Sequence, residues 1–361
     1  MLHIDKTTYH ALFYIHKMKS ISKCEKRMKK ININEIARAA GVSKTTVSRV
    51  INKSPLVKPA TVEKVNEIIE RLDYYPSDLA RGLRSNETRT IGVVVSNVMN
   101  PFFTSVVRGI EDVANNSNYN IFLCNTDEKP EKEAQYLSML ASKRVDGLII
   151  AGVGESSHYP HVIDNMKVVF IDRPPKGLEN KFDVILVNNE EGSYQMVKHM
   201  LQSGYRRIGL VGGSLSLSTG YERLLGYRRA HSEMGLPVDE NIVLNGDFLG
   251  HSSYQDTLRL LNTGNCDAIY ATNNMNLHGA MKALKEKNLM VPTDIGLASF
   301  DDMEWMEHCG VSISAVRQPT YDMGVLAMNT LLKRIGGSED DCETIVLNVD
   351  IFTRESTKRP E

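Results

Sequence analysis

The sequence predicts a small all-α domain at the N-terminus, followed by a larger α/β body with parallel sheets. The first observation is the segment 33–52, in which two short apolar patterns of helical period flank a glycine. The second is the pattern beyond Arg89, where short runs of β-branched residues alternate with amphipathic helical segments. Strands separated by helices of this length favour parallel sheets whose faces are covered. Ligands of such sheets bind at the carboxyl ends of the strands.

The charge is distributed unevenly along the 361 residues. Residues 1–89 contain 18 Lys and Arg against 9 Asp and Glu, a balance of +9, and the whole chain sums to -1, which leaves about -10 for the rest. Such asymmetry indicates a nucleic-acid-binding end joined to an acidic globular body. The five cysteines are scattered without metal-ligand spacing, which is typical of reduced thiols in a cytoplasmic protein. The sequence shows no membrane segment, no secretory signal, no catalytic triad and no cofactor motif.

The segment 33–72 has the pattern of a helix-turn-helix domain. An apolar stripe from Ile33 to Ala40 predicts a first helix that Gly41 ends. Residues 41–52, GVSKTTVSRVIN, place Val47, Val50 and Ile51 on one side of a second helix and small polar or cationic residues on the other. A third helix is predicted to begin at Pro59 and to bury Val62, Val65, Ile69 and Leu72. The second helix therefore suits insertion into the major groove of DNA.

Two flanking segments are interpreted less specifically. Residues 1–29 are interpreted as an N-terminal extension. The alternative is that Met28 is the true first residue and that the residues before it are an artefact or a dispensable arm. In the segment 77–89, after Pro76, residues 78–85 allow about two helical turns, which are marginal in water when isolated. This segment is either a flexible linker or a hinge that becomes helical when a partner such as DNA stabilises it. The predicted organisation is extension 1–29, headpiece 30–76, hinge 77–89 and body 90–361.

The body is predicted to alternate strands and helices. Strands are expected at 91–95, 120–124, 147–151, 168–171, 208–211, 268–271 and 296–299. Helices are expected at 104–115, 130–142, 190–202, 220–234, 254–261, 276–287 and 321–335. The loops that follow these strands are the places to look for a ligand.

A set of motifs occurs in order between Lys30 and Arg354. They are INEIARAAGVSKTTVSRVIN, YPSDLARGLRS, TIGVVVSNVMNPFF, KRVDGLII, IDRP, GYRRIGLVGG, YERLLGY, FDD and VRQP. With these motifs the chain resembles the lac repressor (LacI) family of bacterial transcription regulators. The resemblance implies a helix-turn-helix headpiece, a hinge helix and a two-subdomain body like that of periplasmic sugar-binding proteins, which dimerises and closes around a small effector.

The resemblance assigns DNA contacts to the recognition helix. Lys44, Thr45 and Arg49 match the positions that reach base edges, where Arg can contact guanine through two hydrogen bonds. Phosphate contacts or support of the helix are implied for Ser43, Thr46, Ser48 and Asn52.

In the hinge, Leu83 matches a leucine that pairs with its dimer mate and inserts between base steps of the minor groove. The alternative is a leucine that packs only against its own hinge. Arg81 and Arg84 flank it and suit phosphates.

The resemblance also implies an effector pocket. Its matching positions are Phe102, Asp172, Arg173, Thr219, Arg223, Phe248, Asn273 and Asp301. Carboxylates, guanidinium donors, an amide and aromatic walls suit a ring that carries several hydroxyls. The alternatives are structural, with Asp301 as a helix cap and Phe102 as a core residue. Where the family commonly has an Asn-Asp pair, this chain has Asn273 and Asn274.

The resulting expectation is a cytoplasmic, homodimeric or tetrameric repressor of carbohydrate or sugar-acid utilisation genes that binds a pseudo-palindromic operator. Gluconate or ketosugar acids are candidate signals, because Arg173 and Arg223 are suited to pair with a carboxylate. A sugar-binding protein of the transport class, a sugar-modifying enzyme, and a regulator that activates or uses a co-repressor are the alternatives.

Overall fold

The computed structural model describes residues 31–52, 54–74, 87–153, 159, 163, 166–175, 177–178 and 181–359. The chain divides into two compact units, Met1–Asn86 and Glu87–Glu361. Each unit is described by itself below.

The described part of the first unit consists of three short helices. They are α1 (Ile33–Ala40), α2 (Lys44–Ile51) and α3 (Pro59–Arg71). The side chain of Asn32 caps α1 and forms a reciprocal capping box with Glu35. Gly41 ends α1 in a left-handed conformation at φ 65°, which a residue without Cβ adopts at little cost. The turn between α1 and α2 is therefore fixed by local chemistry.

The three helices share one apolar core. The buried members are Ile36, Ala37, Ala40, Val47, Val50, Val65 and Ile68. The prediction of Val65 as a core residue is confirmed, whereas Ile68 rather than Ile69 is the buried isoleucine of α3. Val62, Ile69 and Leu72 are only partly buried around this core. The difference arises because α3 contacts the other helices along a narrow strip.

The body contains two six-stranded sheets. Sheet 1 has the order β11-β5-β4-β3-β1-β2 and sheet 2 the order β12-β10-β9-β8-β6-β7. All neighbouring strands are parallel except β10 and β12, which are antiparallel. The strands are β1 (Thr90–Val95), β2 (Asn120–Asn125), β3 (Gly147–Ile150), β4 (Val168–Ile171), β5 (Asp183–Val187), β6 (Ile208–Gly212), β7 (Val243–Asn245), β8 (Ala268–Ala271), β9 (Gly296–Phe300), β10 (Ser314–Arg317), β11 (Thr344–Leu347) and β12 (Asp350–Phe352).

Helices cover both sheets. They are α4 (Pro101–Asn116), α5 (Pro130–Ser142), α6 (Asn189–Gln202), α7 (Ser218–Glu233), α8 (Ser253–Thr263), α9 (Asn274–Glu286), α10 (Trp305–His308) and α11 (Thr320–Ile335). The chain passes from one sheet to the other after β5, after β10 and after β11. The two halves of the body are therefore built from interleaved segments.

The predicted fold class is confirmed by the N-terminal helices and the two parallel α/β sheets. The strands predicted from apolar runs occur as β1 to β4, β6, β8 and β9, and the predicted helices occur with shifts of a few residues at their ends. The strands β5, β7, β10, β11 and β12 were not predicted. All of these are short, and β7, β11 and β12 include exposed positions, so their apolar signal is weak.

Helices α4 and α11 pack closely together at two glycines. A Cβ on Gly109 would lie 2.2 Å from the carbonyl oxygen of Tyr321, and one on Gly324 would lie 2.0 Å from that of Val106. The two backbones therefore touch where the side chains are absent. In the described part of the chain, no helix is long and apolar enough to cross a membrane.

The side chain of Asp302 ties β12 to the end of β9. It is fully buried and accepts hydrogen bonds from Arg317 at 2.9 Å (Nε) and from Arg354 at 2.7 and 2.9 Å (Nη1 and Nη2). Both guanidinium groups lie over the ring of Phe352, at 3.8 and 5.3 Å from its centroid. One carboxylate thus holds two cations and the last strand in place.

Asp302→Ala should lower the free energy of unfolding of the body by roughly 3–5 kcal/mol, because removal of one partner leaves a buried charge uncompensated. Urea unfolding followed by the fluorescence of Trp305, the sole tryptophan, measures it. Asp340→Ala breaks the exposed pair with Lys333 and serves as the control, with little change expected. Equal stability of Asp302→Ala and the wild type would contradict the structural role of this cluster.

Candidate functional site

The exposed side of α2 in the first unit carries polar and cationic side chains. Lys44, Thr45, Arg49 and Asn52 are exposed, while Val47 and Val50 anchor the opposite side in the core. A helix exposed in this way is available to a groove of DNA. The predicted base-contacting residues therefore share one accessible face.

Two of the other predicted DNA-contacting residues have local structural roles. The Ser43 hydroxyl accepts a hydrogen bond from the Thr46 backbone N–H at 3.1 Å and lies 2.8 Å from the Thr46 hydroxyl. Ser43 is thus the N-cap of α2. Ser48 and Thr46 are half-buried. The hinge residues Arg81, Leu83 and Arg84 lie outside the described residues.

A pocket in the body lies between the carboxyl ends of the two sheets. It is partly open, and its empty space together with the solvent-open mouth is about 340 Å³. Its residues come from the loops after β1, β2, β4, β7, β8, β9 and β10 and from the N-terminal parts of α4 and α7. They are Ser96, Asn97, Asn100, Phe102, Phe103, Glu128, Asp172, Arg173, Thr219, Arg223, Phe248, Asn273, Asp301 and Gln318.

All eight residues that the family resemblance pointed to line this pocket. The residues that sequence reasoning missed are Ser96, Asn97, Asn100, Phe103, Glu128 and Gln318. A signal existed for most of them, because they lie within or beside the quoted motifs SNVMNPFF and VRQP. Glu128 had no such signal.

Two aspartates occupy equivalent positions in the two halves. Asp172 follows β4 and Asp301 follows β9, each the third strand of its sheet. Both adopt left-handed backbone conformations, with φ 63° and 71°, a strain that proteins retain mainly at functional sites. Both side chains are buried.

Burial raises the pKa of both carboxyl groups. Arg173 and then Arg223 oppose this rise at Asp172, and the charge of Asp301 adds to it. At Asp301 the opposing groups are Arg223, the side chain of Gln318 and the backbone N–H of Asn274. The pocket therefore holds two carboxylates that lack full solvation and interact with one another.

Arg173 is held by carboxylates. Its Nη2 donates to Ser96 Oγ at 2.7 Å and to Glu128 Oε1 at 3.0 Å, and its Nε lies 3.4 Å from Asp172 Oδ2. Its guanidinium lies 5.8 Å from the ring centroid of Phe103. Among the described residues, Nη1 is buried without a hydrogen-bond partner. A ligand oxygen would satisfy this donor.

Arg223 is held by neutral acceptors. Its Nε donates to Asn189 Oδ1 at 2.9 Å and its Nη1 to the Thr272 carbonyl at 2.6 Å. The guanidinium stacks 3.8 Å from the Phe300 ring centroid. Its position is thus fixed before any ligand binds.

The Phe248 ring lies between the two arginines. Each guanidinium carbon of Arg173 and Arg223 is 5.6 Å from its centroid. A Cβ on Gly213 would come within 2.4 Å of this ring, so the glycine makes room for it. Asn273 fixes the loop, since its Nδ2 donates to the Phe248 carbonyl at 3.0 Å while its Oδ1 caps α9. Asn273 thus also supports the pocket wall.

A direct hydrogen bond joins the two halves beside the pocket. Asn274 Nδ2 donates to Asn100 Oδ1 at 2.8 Å, and the same Asn100 oxygen accepts from the Phe102 backbone N–H at 2.9 Å. An aspartate at position 274 would present only acceptors to Asn100 Oδ1 when ionised. The departure from the family's Asn-Asp pair therefore supplies the donor for this contact.

The pocket groups suit orientation of a ligand. Its charged residues pair with each other or with amides and carbonyls. In the part of the chain that the structure describes, no group of three or more His, Cys, Asp and Glu residues could hold a metal ion.

Comparisons with known proteins agree for both parts of the chain, the N-terminal unit and the body. Residues 88–347 match the family of periplasmic binding proteins and the sugar binding domain of the LacI family, and residues 32–77 match the bacterial regulatory proteins of the lacI family. The HTH-type transcriptional repressor PurR of Vibrio atlanticus (strain LGP32) is 34% identical over 330 residues, which are 90% of this chain and 98% of that protein.

Solved structures show the same similarity. The lac repressor dimer bound to operator and the anti-inducer ONPF is 26% identical with a TM-score of 0.79, covering 91% of this chain and 99% of that one. A LacI family transcriptional regulator from Enterococcus faecium with bound ribose is 27% identical with a TM-score of 0.68, covering 74% and 98%.

Asp301→Asn should raise the melting temperature of the ligand-free protein by a few degrees at pH 7. A folded-state pKa above the unfolded value means that the native state binds more protons, so stability increases as the pH falls from neutral. The asparagine removes the poorly solvated charge and keeps an acceptor for Gln318. The advantage should therefore shrink as the pH falls from 7 toward the ordinary pKa of an aspartate.

Melting curves of wild type and variant over a series of pH values from 7 downward provide the measurement, with Glu339→Gln in an exposed loop as the control. A variant that is less stable than the wild type at pH 7, or a difference that stays constant over the whole series, would refute this account of Asp301.

Proposed function

The chain belongs to the lacI family of bacterial regulatory proteins, and from this premise we propose that it is a transcriptional repressor whose operator affinity is controlled by a small polyhydroxylated effector. The observation that carries the proposal is the pocket between the two sheets. There, carboxylates, guanidinium groups and amides surround aromatic walls. Hydroxyl groups both donate and accept, so a polyol can use all of these partners at once.

We propose an effector of monosaccharide size, which the aromatic rings and the few convergent polar groups of this one pocket would suit. Phe102, Phe103 and Phe248 offer apolar surface for the faces of a sugar ring. The similar regulator from Enterococcus faecium holds ribose, which supports a sugar of this size. Neutral sugars and sugar acids differ in how they would meet the charged groups of the pocket.

The first unit supplies the DNA-binding surface of the proposed repressor. Lys44, Thr45 and Arg49 would contact base edges in the major groove, because they are exposed on one face of α2. Phosphate contacts that position the helix on the DNA are proposed for Ser43, Thr46, Ser48 and Asn52. Two copies in a dimer would bind a pseudo-palindromic operator. Leu83 would insert into the minor groove at its centre, flanked by phosphate contacts from Arg81 and Arg84.

Control of operator binding by the effector would follow from thermodynamic linkage between effector binding and DNA binding. An effector shifts the equilibrium only by its differential affinity for the conformations that bind and do not bind DNA. The pocket lies between the two halves of the body, and the hydrogen bond between Asn100 and Asn274 bridges them beside it. A ligand that contacts both halves therefore senses their relative position.

The transport class of sugar-binding proteins shares the body fold. The helix-turn-helix unit with its exposed cationic face favours the regulator. The relatives are regulators rather than enzymes, which argues against a sugar-modifying enzyme. Cytoplasmic location follows from the proposed contact with DNA.

Arg49→Ala should weaken binding to an operator selected from random DNA by about 1–3 kcal/mol and relax the preference at one base position per half-site, because a bidentate contact is lost. Fluorescence anisotropy and a repeated selection measure the two effects. Arg71→Ala, exposed at the end of α3, is the matched control. Unchanged affinity together with an unchanged selected sequence would rule out base contact by Arg49.

Arg223→Ala should remove the response to effector while operator binding without effector persists. The effector is identified by Trp305 fluorescence against sugars, sugar acids and a purine base, since Trp305 is half-exposed after the Asp301 loop. We expect binding to weaken at least tenfold with the loss of a charged donor, about 1.5–3 kcal/mol. Arg229→Ala, on the exposed side of α7, is the control. Unaltered effector affinity would remove Arg223 from the site.

A further inference from the structure

Glu128 is one of the pocket residues that sequence reasoning did not find, and it lies outside all of the quoted motifs. It lies in the loop between β2 and α5, where Asp127 and Glu128 both have left-handed backbone conformations, at φ 53° and 56°. This bend separates the two carboxylates. Asp127 pairs with Lys132 at 2.7 Å and does not line the pocket, whereas Glu128 lines it and pairs with Arg173. The loop thus directs one acid away from the pocket and one into it.

The pair of Glu128 and Arg173 is largely withdrawn from water. The side chains are 12% and 4% exposed, and Oε1 and Nη2 are 3.0 Å apart. An ion pair in such surroundings is screened little by salt. Asp172 adds a second carboxylate 3.4 Å from Nε of the same arginine. The positive charge of Arg173 is therefore already compensated within the protein.

The charged residues of the pocket give it an excess of acid. Among the described residues that line it, Glu128, Asp172 and Asp301 face Arg173 and Arg223. Glu222 adjoins this set, because its carboxylate accepts from Asn189, the residue that also binds Arg223. An anionic ligand would meet this excess and would have to displace Glu128 to reach Arg173.

We propose that Glu128 is a specificity-determining counterion, which reserves the pocket for uncharged polyhydroxylated effectors and excludes carboxylated or phosphorylated ones. The inference rests on the proposed function for the nature of the effector. The buried Nη1 of Arg173, which lacks a partner among the described residues, remains the donor for the ligand. This N–H group donates a hydrogen bond to a hydroxyl or ring oxygen of the ligand, and Arg173 orients a neutral sugar through this bond.

The decisive experiment uses inorganic phosphate and the full chain, so that it does not depend on knowing the effector. Thermal melting is followed with increasing phosphate at constant ionic strength in the wild type and in Glu128→Gln. The glutamine keeps an acceptor for Arg173 and removes the charge. Glu128→Asn, suited to left-handed backbone, is the second neutral variant should the first fold poorly.

Phosphate should stabilise Glu128→Gln in a dose-dependent manner, with an apparent affinity at least tenfold above that of the wild type. Asp127→Asn removes the neighbouring charge outside the pocket and should behave as the wild type. The double variant Glu128→Gln/Arg173→Gln should lose the gain. Phosphate bound by the headpiece is common to all variants and cancels in these differences. Equal phosphate response in wild type and Glu128→Gln, or a gain that persists in the double variant, overturns the proposal.

Matched sugar pairs provide the second arm. The pairs are D-glucose and D-glucuronate, D-galactose and D-galacturonate, and D-ribose and D-ribose 5-phosphate. We expect the wild type to prefer a neutral member, and Glu128→Gln to shift the affinity ratio at least tenfold toward its anionic partner. Preference of the wild type for an anionic member overturns the role of Glu128 and leaves a sugar-like effector intact. Failure of every sugar with a positive phosphate result overturns the proposed effector class and supports Glu128 as the counterion.

Discussion

The buried charges between the two sheets are the constraint on which the rest of the body depends. Asp172 and Asp301 stand at equivalent strand ends, and Arg173 and Arg223 compensate them only in part, since burial still raises the pKa of both acids. Charges in such surroundings are costly unless they are paired and hydrogen-bonded. The cost is tolerated where it gives a ligand strong, preoriented partners. Each arginine is accordingly fixed by other groups, Arg173 by Ser96 and Glu128 and Arg223 by Asn189 and a backbone carbonyl.

The scaffold offsets this cost away from the pocket. The central strands are buried over their whole length, as in β3 and β4, and provide the apolar burial that dominates folding. Structural ion pairs lie at the sheet edges, where Asp302 holds β12. The two adjacent acids Asp301 and Asp302 therefore differ in task. Asp302 is saturated by two arginines, whereas Asp301 accepts from Gln318 and the Asn274 backbone and faces the pocket.

Local patterns predicted most of the fold, because buried parallel strands are apolar runs and the helices between them have a clear period. Local patterns did not predict β5, β10 and the short edge strands. The pairing of these strands depends on segments that are distant in the chain; β11, for example, pairs with β5 from beyond residue 340. The site was found through motifs at strand ends. Glu128 was not predicted as a pocket residue, because its partner Arg173 is 45 positions away and no local pattern links the two loops. The expectation of an acidic ligand from Arg173 and Arg223 did not take this counterion into account.

The side chains on the two halves of the pocket differ in how firmly protein contacts hold them before a ligand binds. On the sheet 2 side, Arg223, Phe248 and Asn273 are each held by contacts within that half, so their positions do not require an effector. On the sheet 1 side, Arg173 retains a buried donor without a partner among the described residues. Contact between the halves at this level runs through Asn100 and Asn274, and the latter keeps a buried oxygen with no hydrogen-bond partner in the described structure. A polyol that bonds to Arg173 and to Asp301 together would add attraction between the halves that a ligand of one half alone does not supply. Such a ligand has the differential affinity that a switch needs, because its full set of bonds exists only at one separation of the sheets.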